Sequence, residues 1–173
     1  LNATSTANGF AGTEASVTGG FSEIDVLTLP AGAGDSIQGA NFANSWDITG
    51  GDSGTLTENA NVLTFTGANS LTGGTDTDAF TLNGGTISGS VAGGGGAGVN
   101  TLTGDDVANT FEVTGADSGT ATGVTGGFSD IDNLVGGTDT DSFTLNGGTL
   151  SGSIAGGGGA GVNTLTGDDV ANT

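Results

Sequence analysis

Short apolar runs alternate with clusters of glycine, aspartate and asparagine along the whole chain. Within the runs, large apolar residues occupy every second position, as in Phe80 and Leu82 or in Phe111 and Val113. This period of two is typical of β-strands with one buried face, and the polar clusters are typical of turns. No stretch has the 3.6-residue apolar period of an amphipathic helix. The pattern therefore predicts an all-β protein.

The best example of the pattern lies between residues 100 and 132. It predicts strands at Asn100–Thr103 and Thr110–Thr114, and a weaker strand from Thr120 to Asp132. Asn83-Gly84 and its counterpart Asn146-Gly147 provide residues that adopt the positive φ of tight turns. We therefore expect three short strands and three turns in one structural unit.

The chain repeats itself over a long distance. Residues 71–110 recur at residues 134–173 with four differences in forty positions, which gives a 63-residue repeat. Across the two copies, four leucines open similar phrases and follow one another at nearly equal spacing: Leu71, Leu102, Leu134 and Leu165. Such self-similarity is typical of stacked architectures. We expect a parallel β-solenoid, or β-helix, with coils of about 31–32 residues paired into the 63-residue repeat. The usual crossover preference predicts a right-handed coil.

No linker or change of composition divides the chain, so we expect one solenoid segment over residues 1–173, cut from a longer tandem array. The N-terminal part is less regular, although Val17–Leu27 matches Val124–Leu134. The expected coils cover residues 1–36 (irregular coils), 37–70, 71–101, 102–133, 134–164 and 165–173.

Stacking these coils predicts two columns of side chains. The first is an aromatic column in the core, formed by Trp46, Phe80, Phe111 and Phe143. The second alternates asparagine with aspartate: Asn44, Asp78, Asn109, Asp141 and Asn172. Stacked carboxylates would repel each other at a strand spacing of about 4.8 Å, and alternation doubles that distance. Each asparagine amide can also donate a hydrogen bond to a neighbouring aspartate.

The charge of the chain limits its partners. It has no lysine, arginine or histidine and nineteen acidic residues, for a formal net charge of −19. Such a chain repels nucleic acid and anionic membranes, so its expected counter-ions are inorganic cations. Cysteine and methionine are absent as well, which leaves little to oxidise and suits an extracellular location.

One phrase resembles a known calcium-binding repeat. GGTDTDAFT (Gly73–Thr81) and its counterpart GGTDTDSFT (Gly136–Thr144) resemble the nonapeptide G-G-x-G-x-D-x-U-x of RTX proteins, with Asp76 and Asp139 in place of the third glycine. The wider pattern resembles RTX-like and filamentous haemagglutinin-like β-solenoid repeats of very large bacterial surface and secreted proteins. This resemblance implies an elongated scaffold that is extracellular or attached to the bacterial cell surface.

The acidic residues suggest a cation site. Eight of them follow the leucines by three to seven positions, so the predicted coils place them along one edge of the stack: Asp76, Asp78, Asp105, Asp106, Asp139, Asp141, Asp168 and Asp169. Oxygen-rich turns of this kind are favoured by calcium. The alternative is a solvated acidic face that is screened by diffuse counter-ions. Both interpretations remain open on the sequence alone.

Catalysis is not expected, because the chain lacks histidine, cysteine, lysine, arginine and tyrosine. Its acidic residues are also spread evenly over similar phrases, whereas an active site is local. The expected function is a structural rod or fibre, such as a stalk, a biofilm-matrix filament or an adhesin shaft, that associates with copies of itself. The alternative is a calcium-dependent adhesion module of the RTX type that contacts polysaccharide or ice.

Overall fold

A computed structural model describes residues 1, 3–4, 9–30, 32 and 34–168. Its regular structure consists of β-strands, and the described residues contain no helix. It follows that they hold no helix of the length and apolar character that crossing a membrane requires. The predicted all-β class is confirmed. Two residues with predicted roles, Asp169 and Asn172, lie outside the described ranges.

The strands form three sheets. A small antiparallel N-terminal sheet contains β1 (Ala3–Thr4), β2 (Phe10–Glu14) and β3 (Val17–Ile24). Sheet I contains, in spatial order, β18 (Ile154–Ala155), β16 (Asn133–Val135), β12 (Thr101–Thr103), β10 (Asp78–Leu82), β6 (Asn44–Gly50), β7 (Ser53–Glu58), β8 (Asn61–Thr66) and β4 (Val26–Thr28). Sheet II contains β19 (Thr164–Thr166), β17 (Ser142–Leu145), β13 (Thr110–Gly115), β14 (Ser118–Ala121), β15 (Val124–Ser129), β11 (Val91–Ala92), β9 (Ser70–Thr72) and β5 (Ser36–Gln38).

From β5 onwards the chain crosses between sheets I and II after each single strand or three-stranded meander. When the chain returns to a sheet, its new strand pairs in parallel with a strand from the previous visit, for example β12 with β10 and β19 with β17. Antiparallel pairs in these two sheets occur only within the meanders β6–β8 and β13–β15, among the described strands. Each sheet therefore grows along one axis as the chain proceeds.

Alternate residues of the strands point between the two sheets and form one continuous core. Trp46 stacks on Phe80 with ring centroids 5.8 Å apart and an interplanar angle of 8°, and meets Phe65 edge-on at 6.0 Å. Phe111 stacks on Phe143 at 4.9 Å and 5°. Stacked aromatic pairs add stability beyond the area that they bury. The period-two pattern thus identified the core residues.

The predicted register of the four leucines is wrong in part. Leu71 lies in sheet II opposite Val91, whereas Leu102 lies in sheet I opposite Leu134. The step from Leu102 to Leu134 therefore joins stacked residues, and the step from Leu71 to Leu102 does not. The reason is topological: the chain crosses between the sheets three times in the step from Leu71 and twice in the step from Leu102.

The same error affects the predicted aromatic column. Trp46 and Phe80 pair in sheet I, and Phe111 and Phe143 pair in sheet II. The column is therefore two separate pairs on opposite walls of the core. All four rings are buried, as predicted.

Two of the three strands predicted between residues 100 and 132 are confirmed, as β12 and β13. The third, Thr120–Asp132, is wrong as a single strand, because this segment reverses direction between β14 and β15. Gly123 lies at the reversal with a φ of +82°, a conformation that favours glycine.

The two copies of the repeat occupy opposite sheets. In the first copy β9 and β11 lie in sheet II and β10 and β12 in sheet I. Their counterparts in the second copy, β16 to β19, lie in the other sheet in each case. One repeat contains five crossings, and because five is odd, the next copy begins in the facing sheet.

Glycine is required where the loops stack directly on one another. A Cβ at Gly98 would lie 2.1 Å from the backbone of Asp76, and one at Gly161 would lie 2.1 Å from the backbone of Asp139. In both copies the glycine-rich loop is therefore in backbone contact with the preceding TDTD loop. Gly95, by contrast, faces open space.

Candidate functional site: two Asn–Asp ladders and the acidic turns

Asparagine and aspartate alternate at the starts of the parallel strands of both main sheets. Ladder I lies at the starts of β6, β10, β12 and β16 and contains Asn44, Asp78, Asn100 and Asp132. Ladder II lies at the starts of β13, β17 and β19 and contains Asn109, Asp141 and Asn163. The predicted alternation is confirmed for Asn44–Asp78 and for Asn109–Asp141. The predicted step from Asp78 to Asn109 is wrong, because the neighbour of Asp78 is Asn100.

Ladder I is a chain of hydrogen bonds that runs in one direction. The backbone N–H of Asn44 donates to Asp78 Oδ1 at 2.9 Å, and the N–H of Asp78 donates to Asn100 Oδ1 at 3.0 Å. The N–H of Asn100 then donates to Asp132 Oδ2 at 2.7 Å. Each of these three side-chain oxygens thus satisfies a backbone donor at the start of the neighbouring strand of sheet I. Hydrogen-bonded networks of this kind favour one register of the stack.

Ladder II repeats the arrangement in the opposite sheet. Asn109 donates from its backbone N–H and from Nδ2 to Asp141 Oδ1, at 3.0 and 2.9 Å. The N–H of Asp141 donates to Asn163 Oδ1 at 2.8 Å. The same side-chain chemistry therefore guides the stacking of both sheets.

The two residue types have different tasks in the ladders. Asp78 accepts from the N–H and Nδ2 of Asn44 and, through Oδ2, from the N–H of Gly74 at 2.7 Å. A carboxylate is suited to this position because it only accepts. Asn44 and Asn109 also donate from Nδ2 to loop carbonyls, such as Phe42 O at 2.7 Å, which a carboxylate cannot do. Alternation thus matches donors to acceptors as well as separating charges.

The two central aspartates differ in one hydrogen bond. Both are fully buried, but Asp141 Oδ2 has no hydrogen-bond partner, whereas Asp78 Oδ2 accepts from Gly74. Burial raises the pKa of the Asp78 carboxyl above its ordinary value, since it penalises the charged form, although the hydrogen bonds from Asn44 and Gly74 lower it. Burial therefore makes the ionised form of the Asp78 carboxyl less favourable than it is in water.

The predicted acidic seam is divided between two sides of the stack. The strands by which the chain enters and leaves each sheet all run in the same direction, and only the middle strands of the meanders, β7 and β14, run the other way. Loops that lead into sheet I and loops that leave it therefore lie at opposite ends of its strands. On the side where strands of sheet I begin lie Asp76, Asp78 and Asp168, and on the side where they end lie Asp105, Asp106, Asp139 and Asp141. The prediction of a single edge is wrong for the same reason as the leucine register.

The turn aspartates are engaged in local hydrogen bonds. Asp76 and Asp139 each accept from the N–H of the following threonine at 2.8 Å. Asp105 accepts from the N–H of Asp106 at 2.7 Å and from that of Gly84 at 3.0 Å. These bonds shape the turns, and the exposed oxygens of Asp76, Asp106 and Asp139 face solvent.

The predicted calcium ligands do not fit a common site. Within the described ranges, no three acidic side chains come close enough together to hold a metal ion. Asp78 and Asp141 accept hydrogen bonds from N–H donors, which point hydrogen atoms and not lone pairs at the carboxylates. The geometry of these residues therefore favours hydrogen bonding within the stack over coordination of a cation.

Two further aspartates, which the sequence analysis did not identify, accept hydrogen bonds from the backbone of neighbouring loops. Asp52 Oδ1 accepts from the N–H of Ser88 at 2.7 Å, and Asp117 Oδ1 accepts from the N–H of Ser151 at 2.6 Å. The signal was present, because each of the two aspartates begins the same phrase, DSGT. Asp117 also lines an open cleft of about 270 Å³ with Asp130 and Asp132.

The outer face of sheet I carries a row of threonines in register. Thr64, Thr55, Thr81 and Thr103 lie along one line across β8, β7, β10 and β12, but Asp47 of β6 interrupts the line between Thr55 and Thr81. The line continues with Val135 and Ala155. The regular part of this hydroxyl surface is therefore short.

Comparison of the chain with protein-family models, with curated proteins and with solved structures finds no match.

Proposed function

We propose that residues 1–173 form a segment of a parallel β-solenoid that serves as an extracellular structural rod, as a stalk, matrix filament or adhesin shaft of a bacterial cell. In this proposal each passage through sheets I and II is one coil. The role of the segment is to provide length and stiffness through repetition.

The observation that carries the proposal is the continuous hydrogen bonding of strands within each of two eight-stranded sheets, which enclose one core. Strand pairing at about 4.8 Å gives such a stack a height of about 34 Å. Since each strand is satisfied by its neighbours along the axis, further coils extend the stack without changing its cross-section.

The meanders make extension possible. A meander adds two extra strands to the sheet that contains it, so repeats with every meander in one sheet would make that sheet outgrow the other. The meanders β6–β8 and β13–β15 lie in opposite sheets, and both sheets have eight strands. This balance supports an array that remains straight.

The chemistry of the surface supports a passive role. The described clefts contain carboxylates, hydroxyls and backbone groups, and the sequence has no histidine, cysteine or lysine to act as nucleophile or base. The absence of lysine and arginine also removes every cleavage site for trypsin-like proteases, which suits an exposed filament.

The test is a set of concatenated chains with two, four or six additional copies of residues 71–133 inserted after residue 133, because an even number of copies adds equally to both sheets. One repeat, from β9 up to β16, contains seven strands shared between two sheets, which corresponds to a rise of about 17 Å. The maximum dimension from small-angle scattering should increase by about 17 Å per copy at a constant cross-section. A cross-section that grows, or a flexible chain of separate beads, would contradict the rod.

The same set of concatenated chains distinguishes the structural rod from the alternative, a calcium-dependent adhesion module. The unfolding midpoint in urea should be the same in calcium and in chelator, apart from the general effect of ionic strength. A chain that folds only with calcium would overturn the proposal in favour of an RTX-type module.

A further inference from the structure

Both copies of the repeat contain an asparagine–glycine turn at the end of a parallel strand. Asn83-Gly84 follows β10 and Asn146-Gly147 follows β17, and all four residues are exposed. The two glycines have a positive φ, +78° and +76°, and a Cβ placed at either would meet no atom within 4 Å. Without a Cβ, glycine leaves its backbone nitrogen open to close approach by the preceding side chain. Each turn therefore offers a backbone nitrogen to the amide carbon of its own asparagine.

The two turns are a matched pair. Their local sequence is identical, TLNGGT in both copies. The backbone N–H of each asparagine donates to a carbonyl of the neighbouring strand at 2.8 Å, Asn83 to Ile48 O and Asn146 to Val113 O. A difference in reactivity between the two turns must therefore come from the side chains that surround them.

The side chains of the two asparagines have different surroundings. Asn146 Nδ2 donates to Glu112 Oε1 at 2.6 Å. The residue that corresponds to Glu112 in the first meander is Asp47, which has a shorter side chain. Within the described ranges, the side chain of Asn83 makes no hydrogen bond. The amide group of Asn83 is therefore free to turn towards the backbone, whereas that of Asn146 is anchored.

A carboxylate lies beside the nitrogen of Gly84. The N–H of Gly84 donates to Asp105 Oδ1 at 3.0 Å. The same oxygen accepts from the N–H of Asp106 at 2.7 Å, which fixes it in the turn after β12. A general base must lie within hydrogen-bond reach of the proton that it takes, and Asp105 meets this condition. The stack thus brings an electrophile, a nucleophile and a proton acceptor together at Asn83, Gly84 and Asp105.

We propose that Asn83 is a site of self-modification, at which the turn converts its own asparagine into aspartate and isoaspartate. Gly84 N attacks Asn83 Cγ while Asp105 Oδ1 takes the proton from that nitrogen. The new N–Cγ bond closes a succinimide ring, the Cγ–Nδ2 bond breaks, and Asp105 returns the proton to the departing NH₂ group, which leaves as ammonia. Water then opens the ring at either carbonyl, which gives aspartate or isoaspartate.

The reaction changes the contact between two turns of sheet I. The succinimide has no N–H at Gly84, so the hydrogen bond that joins the turn after β10 to Asp105 is lost. Either product places a second carboxylate beside Asp105, and isoaspartate also lengthens the backbone of the turn. Like charges at this distance repel, so the altered turn does not regain the original contact. This property goes beyond the rod function and does not depend on it.

The test is the rate of ammonia loss at each asparagine when the complete chain is incubated at mildly alkaline pH. Digestion after phenylalanine and leucine separates the two sites, and mass spectrometry detects the exchange of NH₂ for OH in each peptide. In the folded chain Asn83 should react severalfold faster than Asn146, and faster than it does in urea. In urea the two rates should be equal, because the local sequences are identical.

Asp105→Asn tests the proton acceptor. Asparagine can still accept the hydrogen bond from Gly84 but cannot take the proton, so the rate at Asn83 should fall by about tenfold or more and the rate at Asn146 should not change. If Asp105 merely held the turn in place, the variant would react as fast as the wild type or faster. Asp106→Asn is the matched control at the exposed neighbouring position and should leave both rates unchanged.

Glu112 variants test the anchor of the second turn. Glu112→Ala should raise the rate at Asn146 severalfold, because it removes the acceptor of Nδ2, and Glu112→Gln should raise it less, since its carbonyl still accepts. Circular dichroism establishes that each variant is folded. An Asn83 that reacts no faster in the folded chain than in urea, or an Asp105→Asn variant that keeps the wild-type rate, would overturn the proposal.

Discussion

Leu71 and Leu134, which are equivalent residues in the two copies of the repeat, lie in opposite sheets. A near-identical sequence therefore forms both walls of the core. The cause is the odd number of crossings in one repeat. Its consequence is that the meanders alternate between the sheets and keep them equal in length.

Replacing the two central aspartates of the ladders with asparagine should give different results. Asp78→Asn should lower the free energy of unfolding by about 1–3 kcal/mol, because an NH₂ group would face the N–H of Gly74 or of Asn44. Asp141→Asn should be neutral or stabilising, since the new NH₂ can occupy the place of the unpartnered Oδ2 and a buried charge is removed. Urea denaturation at pH 7 measures both.

The control for this pair is Asp76→Asn, an exposed change that should stay within about 0.5 kcal/mol of the wild type. Equal destabilisation by Asp78→Asn and Asp141→Asn would show that the bond from Gly74 has no part in the ladder.

The stability of the chain should increase as the pH falls from neutral. Burial raises the pKa of Asp78 in the folded state, so the folded chain binds more protons than the unfolded chain between the ordinary value of 3.8 and the raised value. Within that window the free energy of unfolding rises as the pH is lowered. Neutralising other carboxylates reduces the repulsion within a chain of charge −19 and acts in the same direction.

Urea midpoints between pH 7 and about pH 4 measure this dependence. Asp78→Asn should reduce the slope, because it removes the group with the raised pKa. A midpoint that falls steadily with pH in the wild type would contradict the assignment.

Trp46 offers a test of the core. Its buried Nε1 has no hydrogen-bond partner, and its counterpart in the other meander is Phe111. Trp46→Phe should therefore cost less than about 1.5 kcal/mol, since it keeps a ring to stack on Phe80 and removes an unsatisfied donor. Trp46→Ala should cost about 3–5 kcal/mol. Thermal denaturation of both variants measures the difference, and equal losses would show that stacking contributes nothing.

Two glycines of the same loop should respond in opposite ways to alanine. Gly98→Ala should destabilise by more than about 1 kcal/mol, because its Cβ would lie 2.1 Å from the backbone of Asp76. Gly95→Ala should be neutral or stabilise by up to about 1 kcal/mol, since Gly95 faces open space. Urea denaturation distinguishes them. If both variants lose stability equally, the loops do not stack as described.

The sequence was sufficient for the residues that face the core. Alternation along each strand identifies Trp46, Phe80, Phe111 and Phe143 as buried, because period two is a local property of a strand. The chemistry of Asn44 and Asp78 was also predictable, since neighbouring carboxylates repel wherever strands stack in register.

The sequence was not sufficient for the register. The steps from Leu71 to Leu102 and from Leu102 to Leu134 look equivalent, but the first contains single strands and the second contains the meander β13–β15. The meander depends on how Thr122 and Gly123 turn the chain, which local composition does not distinguish from a single irregular strand. The acidic residues were assigned to one edge for the same reason, although Asp105 lies at the edge opposite to Asp76.

The alternation of repeat copies between the sheets can be tested most directly by disulfide formation, because the chain has no native cysteine. Thr72 lies beside Ala92 in sheet II, whereas Thr103 lies in sheet I. Under mild oxidation, Thr72→Cys with Ala92→Cys should form an intramolecular disulfide, and Thr72→Cys with Thr103→Cys should not. Thr103→Cys with Val135→Cys, at two positions that pair directly in sheet I, is the positive control. A disulfide between positions 72 and 103, with none between 72 and 92, would establish simple stacking of Leu71 on Leu102 and contradict the exchange of sheets.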